Sequence, residues 1–402
     1  MHRSTVMGTP NVVPLPDEHT SRFSPLDNEP PLRWQQALHL APADGLGVAR
    51  RAVVFALLSW LPIALWALFR GRFFEAVTGE SLLQHFGVHV RCLVSIPLLI
   101  LGEATLHKTT QSYIPQFIGS GLVDKTLASR FDAALRVARQ WRDSSLPWVF
   151  VVGVAIGWTL VDRPSGQTDA MSWAFDENGR IGFGGVWFAY VVRPIFIALV
   201  LGWLWRIALL GGLFAKLGRL GLSLVPSHPD HVGGLGFLKR LPGAFAPVTL
   251  ALSAMLASHW AHAIVYHGQT LGALKVQAAV FVIVWSLLLL APLAAFMPGL
   301  RAAKHAALPS YAALVAEQGR LVRRRWIDGT TTAETPLLEP EGVGPIADAA
   351  AMFDAVRSMR MLPIGKSSFA GIFVPIAVPM LAVIAVQIPI RELALDLVKA
   401  LT

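Results

Sequence analysis

Seven runs of mostly apolar residues limit what this chain is able to fold into: 52–69, 86–106, 146–161, 185–210, 243–267, 276–297 and 368–390. A helix needs about 20 such residues to cross the hydrocarbon of a bilayer, because each residue adds only 1.5 Å of rise. The composition agrees. Of 402 residues, 54% are hydrophobic and 15% charged, whereas a soluble chain carries about 25% charged residues. There is too little polar surface to cover the apolar surplus in water. The expected fold is all-α, a polytopic transmembrane helix bundle of about seven spans with amphipathic and cytoplasmic helices.

The placement of charge sets the expected orientation. Lysine and arginine crowd into three connecting stretches. The stretch 107–145 holds Lys108, Lys125, Arg130, Arg136, Arg139 and Arg142, and 211–242 holds Lys216, Arg219, Lys239 and Arg240. The stretch 298–367 includes Arg301, Lys304, Arg320 and the run Arg323, Arg324 and Arg325. Residues 162–184 differ, with Asp162, Asp169, Asp176 and Glu177 against Arg163 and Arg180. Basic connections stay on the cytoplasmic side. The N-terminus is therefore expected inside and the C-terminus outside. Arg70 and Arg72 fall on the supposed outer side and leave the 70–85 connection ambiguous. The net charge of +9 is accounted for by topology, and no nucleic-acid partner is expected. Cys92 is the single cysteine, which excludes an internal disulfide and a C-x-x-C site.

Four regions follow. Residues 1–45, polar and proline-rich with no secretory signal, read as a disordered cytoplasmic arm. Residues 46–300 form the bundle of six spans. Within it, 124–143 reads as an amphipathic helix with Leu127, Phe131, Leu135 and Ala138 on one face. Residues 301–367 form a cytoplasmic helical loop, with helices expected over 301–326 and 346–361 and a linker over 327–345. Residues 368–402 hold the last span and a C-terminal tail. Gly153 and Gly157 make a G-x-x-x-G for close helix approach. Pro375, Pro379 and Pro389 interrupt the last run.

One connection carries an unusual motif, "SLVPSHPDHVGGLGFL" at 223–238. His228, Asp230, His231, Gly233 and Gly234 read H-x-D-H-x-G-G. This resembles half of the metal signature of metallo-β-lactamase-like hydrolases, but the first ligand position is Pro226, and neither the strands nor the later ligands of that sandwich are present in the pattern. No metal is expected there. The physical reading is a turn in which Asp230 caps a helix starting near Gly236 while Gly233 and Gly234 supply unusual backbone angles. Together with the late "VRSMRMLP" at 356–363, the H-P-D-x-x-G-G-L-G turn resembles that of a group of bacterial multi-pass inner-membrane proteins. The resemblance implies a bacterial inner-membrane location and supplies no activity.

Ionisable residues inside spans cost about 2.5–3.5 kcal/mol each at helix centre, so each asks for a reason. Arg91 and Glu103 lie in the second run. Tyr190, Arg193 and Arg206 lie in the fourth, and His259, His262 and Tyr266 in the fifth. Steps of three and four residues put Tyr190 with Arg193, and His259 with His262 and Tyr266, on single helix faces. The expected topology puts Arg91, Tyr190, Arg193, His259, His262 and Tyr266 in the outer half and Glu103 near the cytoplasm. Four basic-capable groups at one depth, with no intramembrane acid beside them, suit an anionic ligand or pathway. Histidines three apart on one helix cannot both be axial to one haem iron, so no cofactor is expected. No Walker A, G-x-S-x-G, H-E-x-x-H or C-x-x-C motif appears, so no catalytic residue is assigned. A channel or transporter for a small anionic solute or head group is the leading expectation. The rivals are a membrane enzyme acting on lipid or amphiphile through His228, Asp230, His231 or Glu103, and a scaffold or signalling protein. The expected partners are membrane lipid and an anionic ligand, with homo-oligomerisation left open.

Overall fold

A computed structural model describes residues 23–75, 80–161, 169–175, 179–328 and 344–387. Among these the fold is all-α. Extended pairing is limited there to an isolated bridge between Phe175 and Ile181. Seven helical stretches are long and apolar enough to cross a membrane. Span 1 is Val48–Phe69, span 2 Phe86–Gly119, span 4 Phe183–Gly218, span 5 Gly236–His267, span 6 Leu274–Ala294 and span 7 Lys366–Ala385. The third stretch, Ala128–Val161, is two helices. The amphipathic Ala128–Asp143 breaks at Ser144, whose backbone is extended, and Leu146–Val161 follows as span 3.

The surface of the bundle shows why lipid is its solvent. Leu57, Leu61, Leu65 and Leu68 are exposed at helical steps on span 1, as are Val276, Val280, Ile283 and Leu287 on span 6 and Val374, Val378 and Leu381 on span 7. Span 5 is the centre. Its most apolar stretch is 56% buried, the largest share of the seven. Small residues make that possible, since Ala251, Ser253, Ala257 and Ser258 let spans 2 and 7 approach closely. Ser95 on span 2 donates its hydroxyl to the Ala251 carbonyl at 2.9 Å, and Ser253 donates to the Ile376 carbonyl at 3.0 Å beside the Pro375–Pro379 pair of span 7. Pro389 lies outside the described residues.

Spans 2 and 4 are built alike. Each begins with five α-helical residues, widens into a five-residue π-segment, and resumes as a long α-helix with proline in its first turn. The π-segments are Arg91–Ser95 and Phe188–Val192. Pro97 and Pro194 follow them, and a proline clashes with the carbonyl four residues back. Lengthening the bond pattern to i→i+5 relieves that clash.

Several expectations change. The arm read as disordered is packed from residue 23 onward. Phe23 and Leu26 are buried in the same core cluster as Leu106, Phe131 and Leu135, and Pro30–Ala37 forms a helix with proline in its first turn. Residues 1–22 lie outside the described residues. A Cβ placed on Gly153 or Gly157 meets nothing within 4 Å, so this pair packs no neighbour within the chain. Close approaches occur instead at Gly371 on Gly243 and at Gly202 on Trp148. The ambiguous 70–85 connection shares an end of the bundle with 162–184, because Arg72 donates to the Phe175 carbonyl and lies 6.0 Å from the Trp66 ring. Helices Met297–Val322 and Gly344–Arg357 pack on each other in the 301–367 loop. Most of the expected 327–345 linker lies outside the described residues.

Candidate functional site

The π-segments bring Arg91 and Arg193 to one cavity of about 110 Å³, which His259 and His262 of span 5 also line. His85, Val88, Phe188 and Met255 complete most of its wall. The two guanidiniums lie against one ring, with Arg91 5.0 Å and Arg193 5.6 Å from the centroid of Phe188. Phe196 lies 5.3 Å from Arg91. Such cation–π contacts partly replace lost water. Arg91 Nε is buried without a hydrogen-bond partner, and among the described residues no carboxylate forms an ion pair with Arg91. Arg193 also reaches the Met171 sulfur of the 162–184 connection at 3.4 Å.

Two parts of the sequence expectation fail here. Tyr190, expected on a stripe with Arg193, is exposed and does not line the cavity. It lies inside the π-segment, where the i, i+3 phase of an α-helix no longer holds. The expected absence of an acid also fails. Glu80, from the 70–85 connection, lies 3.1 Å from His262. Tyr266 remains beside the group, its ring 5.0 Å from that of His262 and 5.9 Å from that of Phe86.

Glu103 belongs to a second buried site. It lies twelve residues along span 2 from Arg91, roughly 18 Å away at helical rise. There Arg206 holds Glu29 with two donors, Nε to Oε1 at 3.1 Å and Nη2 to Oε2 at 2.8 Å, and also reaches Glu103 at 2.9 Å. Arg51 donates to the other Glu103 oxygen at 2.5 Å and also to the Gln35 side-chain oxygen and the Leu46 carbonyl. The rings of Trp148 and Trp203 flank Arg206. Two acids and two bases balance in a buried site. The network fixes the N-terminal segment to spans 1, 2 and 4 and uses up the charge that a catalytic Glu103 would need.

The His-Pro-Asp-His turn is a folded knot on the same end as this network. Asp230 Oδ1 accepts the Val232 and Gly234 N–H groups at 2.8 and 3.2 Å, and Oδ2 accepts Gly236 N–H at 2.7 Å. The last bond caps the turn Gly236–Arg240 that opens span 5. Burial pushes the Asp230 carboxyl up, but the three N–H donors together outweigh it and hold the group below the usual aspartate range. His228 Nδ1 lies 3.0 Å from Oδ1. His231, Gly233 and Gly234 all take positive φ, at 56°, 65° and 96°. The turn then grips the second sequence feature. Arg360 N–H donates to the His231 carbonyl at 2.7 Å, Ser358 Oγ lies 2.9 Å from His231 Nδ1, and a Cβ on Gly233 would come 3.2 Å from Met359 Cε. His231 thus joins the turn to the 356–363 stretch, while Asp230 holds the turn itself together.

Comparison with known protein families, with curated proteins and with solved structures found no match.

Sequence reasoning assigned no role to His85, Glu80, Glu29 or Arg51. Glu80 and His85 sit in the connection whose side was ambiguous. Glu29 sits in the arm read as disordered. The available signal for Glu29 was local: Phe23, Leu26 and Pro30 form a short apolar and helix-starting pattern around it.

Proposed function

We propose that this multi-pass membrane protein binds a small anion, a free solute or a lipid head group, in the cavity between spans 2, 4 and 5, and carries it into or across the membrane. The observation that carries the reading is Arg91, a guanidinium inside an apolar wall with a buried Nε lacking any hydrogen-bond partner and with a second guanidinium across one phenylalanine ring. Like charges this close, away from bulk water, repel strongly. An anion between them removes the repulsion and offers the oxygen acceptors that a guanidinium fork matches. The lysine and arginine asymmetry supports an outer-half position for this cavity with the N-terminus in the cytoplasm, and the resemblance of the His-Pro-Asp turn supports a bacterial inner membrane.

The test uses liposomes holding the purified chain under matched anion and cation gradients. Anions should pass selectively. Arg91→Gln and Arg193→Gln should each lower the flux, and Arg193→Lys should recover only part of it, because the planar fork is lost. Absence of anion selectivity, or unchanged flux in both glutamine variants, overturns the proposal.

A further inference from the structure

The rim of the arginine cavity holds a separate cluster. Glu80 lies 3.1 Å from His262 Nε2 and 3.9 Å from His267 Nε2. One donor atom from each of these three residues falls within 4.8 Å of the others. Histidines 262 and 267 end span 5, where Gly268 in the left-handed region stops the helix. Glu80 is set by the next residues, since Ser81 and Gln84 form a capping box around the turn Leu82–Gln84.

The bonding behind the ligating atoms fixes what faces inward. His262 Nδ1 lies 3.1 Å from the Gln84 carbonyl. A carbonyl only accepts, so Nδ1 carries the hydrogen. In the neutral ring Nε2 is then a lone pair aimed at Glu80 Oε2, which also carries only lone pairs. Both atoms are buried, and neither has a hydrogen-bond partner. Two acceptors 3.1 Å apart repel unless a positive charge lies between them. A proton on Nε2 makes this contact an ion pair but leaves His267 out of it. A metal ion satisfies all three groups at once. Ligand atoms of a tetrahedral zinc ion at about 2.0–2.1 Å stand about 3.3 Å apart, and the two contacts to Glu80 bracket that value. The carbonyl behind His262 is the outer support that ligating histidines characteristically have. His85 gives a further layer. Its Nδ1 is held by the Ser81 carbonyl at 3.0 Å, Ser172 Oγ lies 3.2 Å from Nε2, and that nitrogen is 3.7 Å from the Glu80 carboxylate.

We propose that Glu80, His262 and His267 form a binding site for one divalent transition-metal ion of the zinc class, with a coordination position left for water or another ligand. Two histidines and one carboxylate are the donor set of open zinc sites. The sequence reading assigned no metal to the chain, and the proposal departs from it. The site does not rest on the anion reading, since its donors are defined without Arg91 or Arg193.

The experiment is zinc titration of the full chain, purified in detergent and stripped with a chelator, against a chromophoric competitor. Elemental analysis and the visible absorption of a cobalt-substituted sample accompany it. One saturable zinc per chain is expected. Glu80→Gln and His267→Ala should each weaken binding by roughly tenfold or more. His305→Gln, an exposed histidine on the helix Met297–Val322, should leave it unchanged. His267 is partly exposed at a helix end, so its loss spares the fold, and circular dichroism verifies this. No saturable zinc binding by the folded native chain, or binding unchanged in both Glu80→Gln and His267→Ala, overturns the proposal. The titration reads bound zinc and not anion movement, so its failure and the failure of anion flux are read separately.

Discussion

Replacing Arg206 with methionine unbalances the charge network at the opposite end of the bundle from the cavity. Glu29, Arg51, Glu103 and Arg206 are 1%, 3%, 2% and 4% exposed, and their formal charges cancel. Without Arg206, Glu103 keeps Arg51 at 2.5 Å, but Glu29 loses its ion pair among the described residues. Deleting one partner of a buried pair costs about 3–5 kcal/mol, because the other charge stays desolvated. The double variant Arg206→Met with Glu29→Leu restores neutrality and leaves the Arg51–Glu103 pair intact. It is therefore expected to be more stable than the sum of its two single variants, by an interaction energy of about 0.5–3 kcal/mol. Unfolding by dodecyl sulfate in mixed micelles, followed by tryptophan fluorescence, measures all four corners of the cycle. Trypsin cleavage after the exposed Arg33 reports separately on release of the N-terminal segment and should speed up in Arg206→Met. Additive losses, or a loss below about 1 kcal/mol for Arg206→Met, would refute the reasoning, since the latter is what a solvated surface pair gives.

Asp230→Asn removes a charged acceptor from three backbone N–H groups, and the expected loss is about 1–3 kcal/mol in the same unfolding assay. Because the folded-state carboxyl is held below its ordinary value, its contribution is full above that value and disappears as pH falls through the lowered one; the native chain should lose stability on acidification below about pH 4, and Asp230→Asn should lose less. Gly371→Ala places a methyl group 2.7 Å from the backbone of Gly243 and should cost about 1–3 kcal/mol, whereas Gly153→Ala meets nothing and should cost nothing in thermal melts. Cys92 is fully buried, so an impermeant thiol reagent reports on introduced cysteines alone: Gln269→Cys should label in intact cells and Lys125→Cys only after permeabilisation, and the reverse pattern would invert the topology.

The spans were legible because hydrocarbon thickness acts on contiguous sequence, and one long apolar run needs no knowledge of its neighbours. Arg91, Arg193, His259 and His262 were legible as a group for a related reason: depth in a bilayer can be counted along each span. What depth does not give is lateral arrangement. Glu80 reaches His262 across 182 positions through a connection with no fixed side, and nothing in its neighbours' hydropathy marks that contact. Tyr190 was misplaced because periodicity assumes 3.6 residues per turn, and the π-segment before Pro194 breaks the count. The arm was misread because its composition is polar on average, while its structure depends on three anchors, Phe23, Leu26 and Glu29, that composition averages away.

Glu29 and Arg206 are 177 positions apart, and the chain is made from its N-terminus. At about 5–20 residues per second, synthesis of the partner lags by roughly 9–35 s. For that interval the carboxylate of Glu29 has no seat and its segment waits in water. It docks only when span 4 has been delivered beside span 2 in the correct register. A segment made before span 4 is thereby fastened only after it. The bond between Glu29 and Arg206 therefore depends on correct insertion of the fourth span, and a copy in which that span is mis-inserted would expose the segment around Arg33 to protease.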